Sequence, residues 1–439
     1  MNRLHALTIG LSLVVATHLH AQDDRATWVR ANAVALGDDV TDAQLASLRD
    51  ALAGVDVVFL GESSHGDGGA HLARARLVRY LHEQLGFDVI AWEAGVSEAV
   101  AFDSLLATTA PLGTITPLAL YPWWAASAEL RPVLDYVRQT RGTSAPLRFA
   151  GFDIQRSGPI DSLVAYVRRT FAKAGAAPFD AAAGGSLTSL LARLSSRTDA
   201  GRDSVEESAE RVLHDASGNL ERRFASNRAA FTRAIGAAET ELFARVLSNI
   251  SANAEQSRLA RDPDAARRIA SYNLREQRNA ENILWLLRTR HRGQKLIVWL
   301  HNVHAVNTRF TARFDGVSPS ASDTPRDATA RIVRDSIGAR SYAVATVSFD
   351  GAWAFPGGTR TELPTAAAAS LAGALHDAGF ARAFLDLRRA AGGEPAWLSA
   401  PLVGTLNTQS PARYPVVWPR AVDGVLFVDR MTPSTAAPE

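Results

Sequence analysis

Residues 55–95 read VDVVFLGESSHGDGGAHLARARLVRYLHEQLGFDVIAWEAG, and their pattern decides the fold. The run 57–60 is continuously apolar, as in a strand covered on both faces of a parallel sheet. It ends in Gly61-Glu62-Ser63-Ser64-His65-Gly66. Residues 72–85 place Leu77, Leu81 and Leu85 at helical spacing, and Gly86 stops that helix. A second strand, 88–92, then ends in Glu93. Two strand ends thereby deliver two carboxylates and one imidazole across a single crossover.

Outward from this stretch the alternation continues. Residues 96–106 and 130–141 read as helices, and 108–124 as a loop carrying Tyr121, Trp123 and Trp124. A third strand, 147–151, runs into Phe152-Asp153. Strand, helix, strand, helix, strand predicts an α/β fold, a mainly parallel sheet sandwiched by helices. Residues 157–290 change character: rich in Ala, Arg, Leu and Ser, they predict a helical insertion, or cap, with Asp262-Pro263 as a helix start. The segment 295–300 returns to the sheet and ends in His301-Asn302-Val303-His304, and 342–349 and 425–428 add strands. The expected organisation is a signal peptide (1–21), the first part of the core (22–156, helical up to 54), the cap (157–290), the second part of the core (291–350), a small C-terminal α+β segment returning to the sheet (351–431) and a disordered tail (432–439).

Composition bounds the function. The 439 residues are 47% hydrophobic and 21% charged with a formal net charge of +2, and the arginines are dispersed, which argues against nucleic acid as a partner. Arg3, the apolar run 7–16 and Leu19-His20-Ala21 fit a secretory signal cleaved before Gln22. The expectation is export to the periplasm or medium, with no membrane attachment after cleavage. With no cysteine, the chain has no disulfide, thiolate ligand or thiol nucleophile.

Four strands end in ionisable residues: Glu62 with His65, Glu93, Asp153, and His301 with His304. Ligands of open parallel sheets bind at those ends. An imidazole held by carboxylates can serve as a general base near neutral pH, and Arg74 could stabilise an oxyanion. His301 and His304 could assist developing charge or a leaving alkoxide. Plainer readings compete: Asp153 as a helix cap, either of His301 and His304 as a core-edge histidine, Trp123 and Trp124 as core aromatics rather than a cleft wall, and His71 and His82 as exposed or packed. Glu62, His65, Glu93, His301 and His304 could also ligate a metal, but no HExxH is present. No G-x-S-x-G elbow, Walker A or G-x-G-x-x-G fingerprint occurs.

At these residues the chain resembles the erythromycin esterase family. The likeness runs through LGESSHG (60–66), Arg74, GFDVIAWEAG (86–95), GFDIQ (151–155), NLREQRNAENILWLL (273–287) and VWLHNVHAVN (298–307). It implies hydrolysis of an ester or macrolide lactone, an antibiotic-resistance chemistry, without a required metal or other cofactor. His65 resembles the family's general base, with Glu62 and Glu93 as its carboxylate partners. Arg74, His301 and His304 match the remaining active-site positions. Arg275 matches the Arg that opens the family's R-[DE]-x-x-M-A-x-N helix, where Asn279 replaces the Met. With Trp123, Trp124 and Asp153, Arg275 completes the expected substrate-binding set. Asp67, where the family often has Thr, adds a carboxylate two residues after the base. The implied partner is a small-molecule ester or lactone.

Overall fold

A computed structural model describes residues 24–37, 45–177, 207–310, 325–390, 395–409 and 413–438. The proposed signal peptide lies outside the described residues. Among the rest, no helix is long and apolar enough to cross a membrane.

One nine-stranded sheet organises the chain. Its strands are β1 (Ala33–Ala35), β2 (Val57–Glu62), β3 (Phe87–Gly95), β4 (Arg148–Asp153), β5 (Lys295–His301), β6 (Ser341–Trp353), β7 (Thr361–Leu363), β8 (Arg382–Asp386) and β11 (Gly424–Met431); β9 (Leu402–Gly404) and β10 (Tyr414–Val416) form a separate hairpin. The order is β1-β8-β11-β6-β2-β5-β3-β4, with β7 against β6. From β11 to β4 the strands pair in parallel, while β1, β7 and β8 are antiparallel. The sheet is therefore mixed but mostly parallel, as the apolar runs implied.

Those runs are continuous because both faces are covered. Successive side chains of a strand point to opposite sides. Val58 and Leu60 join Ile90, Trp92, Ile297 and Trp299 in one core, whereas Val57 and Phe59 join Val89, Ala91, Val298 and Leu300 in the other. The helices Gly68–Leu85 and Arg131–Thr140 cover the first face with Leu77, Val78, Leu81, Val133, Leu134 and Val137. The second face is covered by Ile160–Lys173, Ala237–Ala260, Ala265–Trp285 and Thr329–Ile337, through residues such as Val167, Phe243, Ile283 and Val333. The described helices of 157–290 thus lie against one face of the sheet.

Some local expectations need correction. Each strand that carries site chemistry runs further than its apolar run, so Glu62, Glu93, Asp153 and His301 lie in the strands themselves. Residues 33–35, expected to be helical, pair with β8. The helix after β2 begins at Gly68, capped by Asp67, and Gly86 in the left-handed region ends it. Asp264, not Asp262, caps the helix Ala265–Trp285, accepting from the Ala266 N–H. The tail from 432 is held by hydrogen bonds through Ala437 rather than disordered.

Topology places the site. The chain makes β2 and β3 consecutively but leaves a place between them. β5 fills that place after the long helical excursion, pairing with both. Glu62 and His301 are register partners on β2 and β5, and Gly95 and Asp153 on β3 and β4. Carboxylates and imidazoles far apart in sequence therefore meet along one row of strand ends.

Candidate active site

The turn after β2 builds the first half of the site. Glu62 is fully buried. Its Oε1 lies 2.5 Å from His65 Nδ1 and accepts from Trp124 Nε1 at 3.1 Å. Its Oε2 accepts from an Arg74 amino group. Arg74, also fully buried, donates a further bond to the Leu60 carbonyl at 3.0 Å, and its guanidinium lies 3.5 Å from the centre of the Trp299 ring. Arg74 therefore holds Glu62 and does not reach the cleft. His71, one helical turn before Arg74, completes the set: its Nε2 faces the His65 carbonyl at 3.2 Å and its Nδ1 faces Arg74 at 3.2 Å. That pattern requires Nε2 to donate and Nδ1 to accept. Burial holds the His71 imidazole down at about 4.

His65 itself is 17% exposed at its side chain. Because Glu62 is a carboxylate acceptor, the short contact assigns the proton to Nδ1 and leaves Nε2 with its lone pair. Burial lowers the His65 pKa to about 4, with His304 and Arg275 adding to it and Glu93 opposing. The ring stacks on Trp123 with centroids 5.5 Å apart, and meets Trp124 and His301 edge-on at 4.8 and 5.1 Å. Trp123 continues into Tyr121 and Phe355 at 4.7 and 5.8 Å, an aromatic wall beside the imidazole. Trp124 is core, but polar at one atom; Trp123 is the wall.

The second half gathers around Arg275. Its Nε and one amino group take Asp153 in a two-point contact of 3.0 and 2.6 Å, and the same amino group reaches Glu93 Oε1 at 2.7 Å. Asp153 also accepts from the Gln155 N–H, and the next helix begins only at Ile160, so Asp153 is not its cap. Glu93 Oε2 accepts from the His301 N–H at 3.0 Å. Burial would raise the Glu93 pKa, but His304, Arg275 and His65 overcome it and draw it down to about 2.

His304 sits between two carboxylates, with Nδ1 2.6 Å from Glu276 Oε1 and Nε2 3.5 Å from Glu93 Oε1. Burial opposes its charge, yet Glu276 and then Glu93 raise its pKa above the ordinary value. Glu276 is fixed in turn, its Oε2 accepting from both the N–H and the hydroxyl of Thr329 at 2.8 and 2.7 Å. His301 has a different character. Its Nε2 donates to the Ser63 carbonyl at 3.1 Å and its Nδ1 accepts from Val303 N–H at 3.3 Å, so both ring nitrogens serve the backbone. Burial keeps it well below the ordinary histidine range. It links the two halves without a free nitrogen.

All ten residues singled out from sequence thus fall in this one region. Sequence reasoning missed Glu276 and gave His71 no part. His71 and Arg74 share a helical face at a spacing of three, a signal that was available. His82 does pack elsewhere, 2.6 Å from the Tyr136 hydroxyl. Asn279 departs from the family motif to accept from Ile154 N–H at 3.0 Å, tying the cap helix to the end of β4. Among the described residues, no three carboxylates or imidazoles converge as a metal-holding group. They pair with one another, with Arg74 and with Arg275.

Comparison with known proteins fits this arrangement. The profile of the family described as erythromycin esterase matches residues 82–431, more than half of the chain. The chain belongs to the erythromycin esterase family. The matched span starts after His65, so Glu62, His65 and Arg74 rest on the resemblance and on geometry instead. YbfO of Bacillus subtilis (strain 168), named as a hydrolase, is 31% identical over 129 residues, 29% of this chain and 28% of that protein. A crystal structure of a Bacillus cereus protein superposes with a TM-score of 0.72 at 19% identity, covering 95% of this chain and 99% of the other. An erythromycin esterase mutant, EreC in its open conformation, superposes with a TM-score of 0.65 at 16% identity, covering 91% and 97%. At such identities the two structures speak for the fold alone.

Proposed function

We propose that this chain is an exported hydrolase that adds water to a carboxylic ester, including macrolide lactones among its candidate substrates. The observation that carries the reading is the 2.5 Å contact between His65 Nδ1 and Glu62 Oε1, which leaves Nε2 unprotonated on a side chain that is 17% exposed. In the proposed reaction, His65 Nε2 takes a proton from water and the resulting hydroxide adds to the ester carbonyl carbon. The carbonyl π electrons move to oxygen, giving a tetrahedral oxyanion. Arg275 and His304, whose facing nitrogens lie 3.3 Å apart, stabilise that charge. As the oxyanion collapses, the C–O bond to the alcohol breaks and the leaving alkoxide takes a proton from His65 or His304. General base catalysis of this kind contributes about 10²–10⁴ in rate. Glu62 fixes the tautomer, Arg74 fixes Glu62, and Glu93 with Asp153 holds Arg275.

The test is mass spectrometry of an ester and lactone panel, macrolides included, after incubation with purified protein. A gain of one water, lost in His65→Asn, is the expected result. A product formed equally by that variant refutes the role of His65, and no product from any ester or lactone refutes the reaction class. Export is proposed from the pattern of residues 1–21. A secreted or periplasmic product beginning near Gln22 supports it, and retention of Met1 in the cytoplasm overturns it.

A further inference from the structure

We infer that the C-terminal segment 432–438 is a positioning strap that fixes the turn carrying His65 against the loop carrying Trp123 and Trp124. Its kinetic consequence rests on the hydrolase reading above, but its structural one does not.

The strap has two attachments. On the His65 side, Gly68 N–H donates to the Thr432 carbonyl at 2.8 Å, Ser434 N–H donates to the Gly66 carbonyl at 2.9 Å, and Asp67 and Pro433 form an antiparallel bridge. On the tryptophan side, Ala128 N–H donates to the Thr435 carbonyl at 2.9 Å and Ala437 N–H to the Ala126 carbonyl at 2.8 Å, with a second bridge between Ser127 and Ala436. Glu129 locks the two together. Its Oε1 accepts from the Thr435 hydroxyl at 2.6 Å and the Thr435 N–H at 3.1 Å. Its Oε2 accepts from the hydroxyls of Ser127 and Ser434 at 3.1 and 2.9 Å. The Glu129 carboxyl carbon approaches so closely that a Cβ at Gly68 would stand 3.0 Å from it.

These attachments flank the two donors on a single carboxylate oxygen. Gly66 follows His65 directly, and Ala126 is two residues after Trp124, while both His65 Nδ1 and Trp124 Nε1 point at Glu62 Oε1. Separation of turn and loop would strain those two bonds and part the Trp123 ring from the imidazole it stacks on. The strap, Thr432-Pro433-Ser434-Thr435-Ala436-Ala437-Pro438, carries no large apolar side chain. Its order rests on hydrogen bonds with fixed geometry, which constrain direction more than they bury surface.

The test compares full-length protein with a chain ending at Met431 and with Glu129→Gln, which keeps the whole chain and guards against misfolding of the shorter one. Histidine-labelled protein reports the His65 titration by NMR, and exchange of the Trp124 indole N–H reports the loop. Both variants should raise the His65 pKa by about one unit as water reaches the ring, and speed indole exchange at least about tenfold. On any ester the wild type hydrolyses, both should lower kcat about tenfold with KM less affected. Unchanged titration and exchange in both variants overturn the inference, whatever happens to Tm. Wild-type protein inactive on all esters counts against the hydrolase reading, and the NMR comparison still decides the strap.

Discussion

Glu62→Gln separates the structural and chemical duties of one carboxylate. Glu62 and Arg74 are both fully buried, and Arg74 has no solvent to turn to. The Gln amide can still accept from Trp124 and His65 through one oxygen, but its NH₂ would face the Arg74 donors. Breaking a buried pair by removing one partner costs about 3–5 kcal/mol, out of a typical total of about 5–15. Urea unfolding should therefore show a much lower midpoint with an unchanged slope. The double variant Glu62→Gln/Arg74→Met should lose less than the sum of the singles, because no charge is left stranded. Activity, measured where the variant stays folded, should fall by about 10⁴, the scale seen when an imidazole loses the carboxylate that fixes its tautomer. A stability loss under about 1 kcal/mol, the value of an exposed ion pair, would refute the buried geometry. Retained activity would refute the orienting role.

Other perturbations read individual charges. Glu276→Gln removes the carboxylate nearest His304, so the His304 pKa should fall and the alkaline limb of kcat/KM should move to lower pH, with up to about a hundredfold loss at neutral pH; an unmoved limb would exclude His304 as the acid. Arg74→Met leaves Glu62 without its counter-charge, so NMR should show the His65 pKa rising from about 4, and a fall would contradict the assignment. Asp67 is buried, which raises its carboxyl to about 7. The folded state then keeps a proton that the unfolded state releases above the ordinary value of 3.8. Stability should be highest below that value and decline as pH rises to about 7. Asp67→Asn keeps a cap acceptor and should remove that slope, worth at most about 4 kcal/mol. Equal unfolding free energies of the wild type at pH 5 and pH 8, measured by urea titration, would sink this account.

The strand-tip chemistry was legible because a buried parallel strand announces itself as an unbroken apolar run, and an ionisable residue directly after it has one place to be. That logic found Glu62, Glu93, Asp153 and His301, but it ended the strands early, since a glycine or carboxylate breaks the run before the ladder stops. Strands β1, β7 and β8 escaped notice for the opposite reason: short antiparallel strands of three to five residues leave no long apolar signature. Glu276 was hidden because a charge on a helix reads as solvated, and only packing of that helix against β4 and the helix Thr329–Ile337 turns it inward. The tail was misread because the end of a chain is where order is usually lost. Its partner, Glu129, lies 306 residues from Thr435, and no local pattern reports such a pairing.

The two imidazoles of the site are tuned in opposite directions by their charged neighbours. Burial acts against charge on both His65 and His304, and each has a carboxylate oxygen within 2.6 Å. Their pKa values nevertheless move apart, His65 downward and His304 upward. Proximity to a carboxylate cannot be the cause of the difference, since it is common to both. The charged surroundings differ: at His65 the positive neighbours His304 and Arg275 add to burial and Glu93 opposes it, whereas at His304 Glu276 and Glu93 together outweigh burial. Groups driven apart in this way divide into base and acid. Arg74, too deep to touch a substrate, fixes Glu62, and Glu62 in turn sets the tautomer of His65, the base of the proposed reaction.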